Sequence, residues 1–235
     1  MAKEKKLSPI VKNYLIAYNV VSAALWGYVL VASANHILSG KSHSNLFGVV
    51  GHKLISIQTL ASLEIVHSIL GFVSSGVITT MSQVYSRLML VWGILYLLPF
   101  IGIFDQVGVP MLIFAWSITE TIRYPFYVLA ILDIKFYPLL WARYTFFYIL
   151  YPLGVAGELL TIYRALPAAK LLNVNYYYFL IGMMALYPPA FYSLYTHMIK
   201  QRRKQLRSSS PPSSADSDSK DYAKKSKISK KAKRS

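Results

Sequence analysis

Residues 13–34 read NYLIAYNVVSAALWGYVLVASA, an unbroken stretch without a charged side chain. A helix needs about 20 predominantly apolar residues to cross the hydrocarbon core of a bilayer, so this stretch reads as a membrane span. It is too long for the apolar core of a signal peptide and carries no convincing small-residue cleavage pattern, so it reads as retained in the protein. Five further stretches of comparable length follow, at residues 49–73, 85–104, 108–132, 141–163 and 176–199. Turn residues separate them: Ser39-Gly40, Ser74-Ser75-Gly76, Asp105, Asp133, Pro167 and Asn173 to Asn175. Only helices and closed barrels satisfy every backbone group in lipid, and segments this long fit helices. The expected fold is an all-α integral membrane protein, a bundle of six transmembrane helices.

The net charge of +16 is concentrated at the ends. Lys3, Lys5, Lys6 and Lys12 stand against Glu4 before residue 13, and thirteen basic residues from Lys200 onward stand against Asp216, Asp218 and Asp221. The body offers no basic face of the kind that binds nucleic acid. Basic clusters beside apolar spans instead mark the cytosolic side, so both termini are expected in the cytosol, as an even number of spans requires. Lys41, and Arg164 with Lys170, run mildly against that orientation. The expected organisation is a cytosolic segment 1–12, a six-span domain 13–200, and a disordered basic cytosolic tail 201–235. After Leu206 the tail is mostly Ser, Pro, Asp and Lys, a composition that cannot bury enough apolar surface to offset ordering entropy. It ends Lys231-Ala-Lys233-Arg-Ser235, the pattern of a dilysine retrieval signal of the endoplasmic reticulum. The chain has no cysteine, which removes disulfides, thiolate metal sites and cysteine nucleophiles together.

Ionisable groups inside spans cost on the order of 3 kcal/mol each and are functional candidates by default. Glu64 and His67 lie three apart on one helix face, as do Glu120 and Arg123, with Tyr124 beside them. Two ligands at the Glu64–His67 spacing fall short of a metal site. Either pair can serve as structural glue, and Glu120 with Arg123 can equally clamp a substrate. Arg87 opens the third expected span. Arg143, Phe147, Tyr151, Gly154 and Glu158 step by four, four, three and four, one stripe of a continuous helix. Tyr151 and Glu158 are then separated by about 10 Å of rise, near enough to flank one reacting group. A carboxylate there can act as a general base and a phenol as a proton or hydrogen-bond donor.

Residues 143–159, RYTFFYILYPLGVAGEL, resemble the signature of the very-long-chain 3-hydroxyacyl-CoA dehydratases, also called protein tyrosine phosphatase-like proteins. Residues 63–71, LEIVHSILG, and 116–124, WSITETIRY, extend the resemblance, which covers most of residues 11–200. It places the catalytic tyrosine and glutamate on Tyr151 and Glu158, with supporting residues at Arg143, Gly154 and Arg87. It implies the third step of fatty-acid elongation, loss of water from 3-hydroxyacyl-CoA to give trans-2-enoyl-CoA. No metal or other cofactor is implied. The implied partners are the elongase condensing enzyme and the ketoacyl and enoyl reductases, in the membrane of the endoplasmic reticulum. Phosphatase chemistry is excluded, because a His-Cys, five residues and Arg are needed where the chain has His67-Ser68 and Ser74. The rival readings are a non-enzymatic membrane scaffold and a transporter, the latter without the repeated halves it calls for.

Overall fold

The computed structural model describes residues 7–73, 75–98 and 102–209. Among them every regular element is helical. Helix α1, Pro9–Leu38, starts ahead of the expected residue 13 because Ser8 caps it, its hydroxyl accepting from the Val11 N–H, and Pro9 follows in the first turn. A short 3₁₀ turn leads into α2, Leu46–Leu60, and α3, Leu63–Ile69. The second expected span is thus helical but interrupted at Ala61-Ser62. Helix α3 closes on Gly71, whose φ of +69° only glycine adopts freely. Phe72 N–H returns to the His67 carbonyl there, and Gly71 N–H to that of Ser68.

The third expected span is displaced. Helix α4, Val77–Leu88, begins eight residues before residue 85 and passes straight into a π-helical segment, Met89–Tyr96. Arg87 therefore lies deep in this run and does not open it. The π segment buries Leu90, Val91, Ile94 and Leu95 completely, and its Gly93 carbonyl accepts a hydrogen bond from the Tyr176 hydroxyl at 2.7 Å. Apolar density in the sequence is centred on this buried part, whereas the polar first turns of α4 depress the hydropathy that marks a span.

Helix α5, Gly108–Ile131, agrees with the fourth expected span. The fifth is two elements, α6, Tyr137–Arg143, and α7, Phe147–Leu172. Arg143 consequently ends a separate short helix and does not share one helical stripe with Tyr151 and Glu158. Helix α7 runs through Pro167, where a break was expected, because Ala165, Ala168 and Ala169 are packed into the core around it. The break comes at Asn173, which is extended and caps α8, Val174–Ser209, its Oδ1 accepting from the Asn175 and Tyr176 N–H groups. Residues 201–209, expected in the tail, extend α8. Their Arg, Lys, Gln and Leu content favours helix, and cations suit its C-terminal end. Residues 1–6 and 210–235, with Lys231 and Lys233, lie outside the described residues.

Helix α5 is the centre of the bundle. It packs against α1 on one side and α7 on the other, with α2 behind α1 and α8 behind α7. Among the described residues three helical stretches, Pro9–Leu38, His43–Ile69 and Tyr137–Leu172, are long and apolar enough to cross a membrane. They mark the chain as a membrane protein. The α4–π run, α5 and α8 are not among them, since α5 carries an ion pair and α8 is rich in Tyr and Pro.

Candidate active site

Helices α5 and α7 approach closely at Gly157, where an added Cβ would stand 2.7 Å from the Leu112 nitrogen and 2.8 Å from the Gly108 oxygen. That contact sets the register in which α7 presents Tyr151, Gly154 and Glu158 to a cavity of about 620 Å³. Both carboxylate oxygens of Glu158 are engaged: the Trp116 indole N–H donates to Oε1 at 2.9 Å, and the Tyr187 hydroxyl to Oε2 at 2.8 Å. Tyr151 is held by its ring, stacked on Phe191 at 5.2 Å and 7° and on Tyr195 at 6.2 Å and 12°. Gly154 leaves only ordinary contact, since an added Cβ would lie 3.4 Å from that of Ala115.

Arg143 reaches the same cavity from the end of α6. Its guanidinium lies 5.0 Å from the Phe126 ring centroid and 4.9 Å from that of Tyr127, and its Nη2 donates to the Tyr127 hydroxyl at 3.2 Å. Its buried Nε has no protein partner, and among the described residues it forms no ion pair with a carboxylate.

Arg87, Glu120 and Arg123 form the cavity wall beside Glu158. Glu120 is wholly buried and pairs with both arginines, Arg87 through Oε1 and Arg123 through Oε2. Arg123 continues the chain with a two-pronged contact to Glu64 at 2.9 and 2.7 Å, and the Tyr124 hydroxyl donates to the same carboxylate at 2.6 Å. The four charges alternate and balance, which offsets the desolvation that each would otherwise suffer. The i, i+3 pair expected of Glu120 and Arg123 is therefore one link of a longer chain. Glu64 and His67 do not pair with each other: Glu64 belongs to Arg123 and Tyr124, while His67 Nε2 hydrogen-bonds the Tyr14 hydroxyl at 2.9 Å.

The cavity thus gathers Tyr151, Glu158, Gly154, Arg143 and Arg87, together with Glu120 and Arg123. Glu64 and His67 line a smaller cavity of about 270 Å³ on the far side of Arg87 and Arg123, and Tyr124 is buried in the core. Sequence reasoning passes over Trp116, Tyr187 and Tyr127. A buried indole needs an acceptor, but the acceptor of Trp116 is Glu158 on another helix, which the packing of α7 on α5 decides. Nothing in the sequence marks Tyr187 among the 19 tyrosines.

Residues 58–208 match the model of the family described as "Protein tyrosine phosphatase-like protein, PTPLA". The chain is 41% identical over 211 residues to very-long-chain (3R)-3-hydroxyacyl-CoA dehydratase 2 of Homo sapiens, covering 84% of this chain and 82% of that one. It is 40% identical over 217 residues to the dehydratase 2 of Mus musculus, covering 87% and 85%. It is 42% identical over 204 residues to a probable very-long-chain (3R)-3-hydroxyacyl-CoA dehydratase of Schizosaccharomyces pombe, covering 84% and 95%. No solved structure matches it. A family model matched over more than half of the chain, and relatives at this identity over most of their length, place the chain in the protein tyrosine phosphatase-like family.

Proposed function

We propose that the protein dehydrates very-long-chain 3-hydroxyacyl-CoA to trans-2-enoyl-CoA, the third step of fatty-acid elongation. The observation that carries this reading is a carboxylate and a phenol on one face of α7 in one cavity, Glu158 and Tyr151, in a chain about two-fifths identical to relatives named for that reaction. The thioester acidifies the proton on C2, and Glu158 removes it as general base. The Trp116 and Tyr187 donors hold the Glu158 carboxyl group in place in the cavity. Tyr151 gives its proton to the C3 hydroxyl as the C3–O bond breaks, so that the products are water and the conjugated enoyl thioester. Arg143, which keeps donors free of carboxylates, serves the thioester oxygen or the CoA phosphates. Arg87 is committed to Glu120 and acts through its field. The direct test supplies detergent-solubilised protein with a long-chain 3-hydroxyacyl-CoA and follows the enoyl thioester. Formation of that product supports the reading, and its absence with folded protein rejects it.

Removing one donor from Glu158 leaves the base in place but less well positioned. Tyr187→Phe and Trp116→Phe are each expected to lower turnover by about tenfold, the scale of one misplaced hydrogen bond, in protein that still folds. Turnover equal to wild type in both would remove these residues from the site.

The same reading makes the α4–π run, α5 and α8 three further spans, with both termini cytosolic in the membrane of the endoplasmic reticulum. The Glu120 and Arg123 that depress the hydropathy of α5 are neutralised inside the bundle. The basic C-terminal tail is read as carrying a retrieval signal, and the condensing enzyme and the two reductases of the elongation cycle as partners. A glycosylation acceptor appended after Ser235 is expected to stay unmodified, and Lys231→Ala with Lys233→Ala to let protein leave the endoplasmic reticulum. Modification of the acceptor would refute the topology, and unchanged localisation would refute the signal.

A further inference from the structure

The larger cavity is a cleft between two helices that pack little on each other. Helix α4 lines one side with Ser82, Tyr85 and Ser86, and α8 the other from Met183 to Gln201, about 27 Å of helix at 1.5 Å per residue. Helix α8 rests on α7, and its first turn is tied to the π segment through Tyr176 and Gly93. Beyond that tie, where Tyr85 also lies near Tyr176, α4 and α8 face each other across the cavity with little direct packing. The cleft is open at the depth of the chemistry. Leu186 lines it and is 63% exposed, and the next residue is Tyr187, the partner of Glu158; across the cleft, Tyr85 is 54% exposed.

The opposite side is closed, because α5 and α7 touch backbone to backbone at Gly157. A volume of about 620 Å³ is of the size that encloses a single small ligand. It accommodates a thioester and the methylenes next to it, and a very long acyl chain has to leave it. Among the described lining residues, the exposed Tyr85 and Leu186 stand on the two walls of the cleft near the level of Glu158, where the cavity meets the surface. Lipid tails are as apolar as leucine, so methylenes lying outside that opening lose nothing by remaining in the bilayer.

Resting on the dehydratase reading, we propose that the slot between α4 and α8 is a lateral portal through which the substrate's acyl chain enters from the bilayer, its distal part staying in lipid during turnover. The protein then reads the 3-hydroxy thioester and the first methylenes, and leaves the rest of the chain unmeasured.

The chain has no cysteine, so Ser86→Cys with Ala190→Cys puts the only two thiols on the two walls of the slot. The experiment joins them in nanodiscs with a flexible, reducible bis-methanethiosulfonate and compares a very-long-chain with a short, water-soluble 3-hydroxyacyl-CoA. Linking is expected to slow the long substrate by at least about tenfold and the short one by no more than about twofold, with recovery on reduction, as for a closed gate. Equal loss of both substrates, or no loss of either with the link verified by mass spectrometry, would overturn the proposal. Leu186→Trp, which narrows the slot without a linker, should show the same dependence on chain length, and equal effects on both substrates would count against the portal. Enzyme inactive on both substrates before linking would overturn the dehydratase reading itself, whereas a normal unlinked rate with no chain-length effect overturns only the portal.

Discussion

Tyr151→Phe and Glu158→Gln are each expected to lower dehydratase turnover by about a hundredfold or more, the range lost with a general acid or base. Both variants should fold. Phenylalanine keeps the ring that stacks on Phe191 and Tyr195, so only the hydroxyl is lost from position 151. Glutamine can turn its carbonyl toward the Trp116 N–H, which only donates, and its amide toward the Tyr187 hydroxyl, which can accept. Turnover with substrate in excess, read beside melting temperature, separates loss of chemistry from loss of fold. A rate within a few-fold of wild type for either variant would remove that residue from the reaction.

The second large effect is on stability. Glu120→Leu is expected to destabilise the protein by about 3–5 kcal/mol, the cost of removing one partner from a buried ionic group. Glu120 is wholly buried and, among the described residues, is the anion that links Arg87 to Arg123, so its loss leaves two guanidinium groups near each other without an intervening anion. Replacing Glu120 and Arg123 together should recover only part of the loss. The pair is embedded in a chain, and the double change deprives Arg87 at one end and Glu64 at the other. Melting temperature in detergent measures this, with Glu120→Leu lowest and the double variant between it and wild type. A single variant as stable as wild type would mean that the chain contributes nothing to the fold.

The contrast between these two groups of residues shows what a sequence conveys about such a bundle. Helix α5 was legible to within a residue because apolar residues run on either side of Glu120 and Arg123 and the helix ends in the Asp133 turn, where Ile134 N–H returns to the Leu129 carbonyl. Helix α4 was not, because its outer turns carry Thr, Ser and Gln, and a hydropathy pattern follows the lipid-like part of an element and misses where it starts. The start of α1 was readable from Ser8-Pro9, a capping signal that the emphasis on hydropathy obscured. Tyr151 and Glu158 stood out because they share a helix, and spacing within a helix is geometry that sequence encodes. The partners of Glu64 could not be read that way. His67 is three residues away and Arg123 is 59, yet packing of separate helices gives Glu64 to Arg123. Arg143 reaches the cavity although the helical stripe that drew attention to it is broken at residues 144–146, so its placement rests on the α6–α7 corner.

The measurement that bears most directly on the central claim uses protein in lipid nanodiscs and a very-long-chain (3R)-3-hydroxyacyl-CoA, with trans-2-enoyl-CoA identified by mass spectrometry for wild type and Glu158→Gln side by side. The expected result is steady product formation by wild type and a rate lower by about a hundredfold or more in the variant, with both proteins melting alike. Folded wild-type protein that forms no enoyl product, or a Glu158→Gln variant that forms it as fast, would contradict the account.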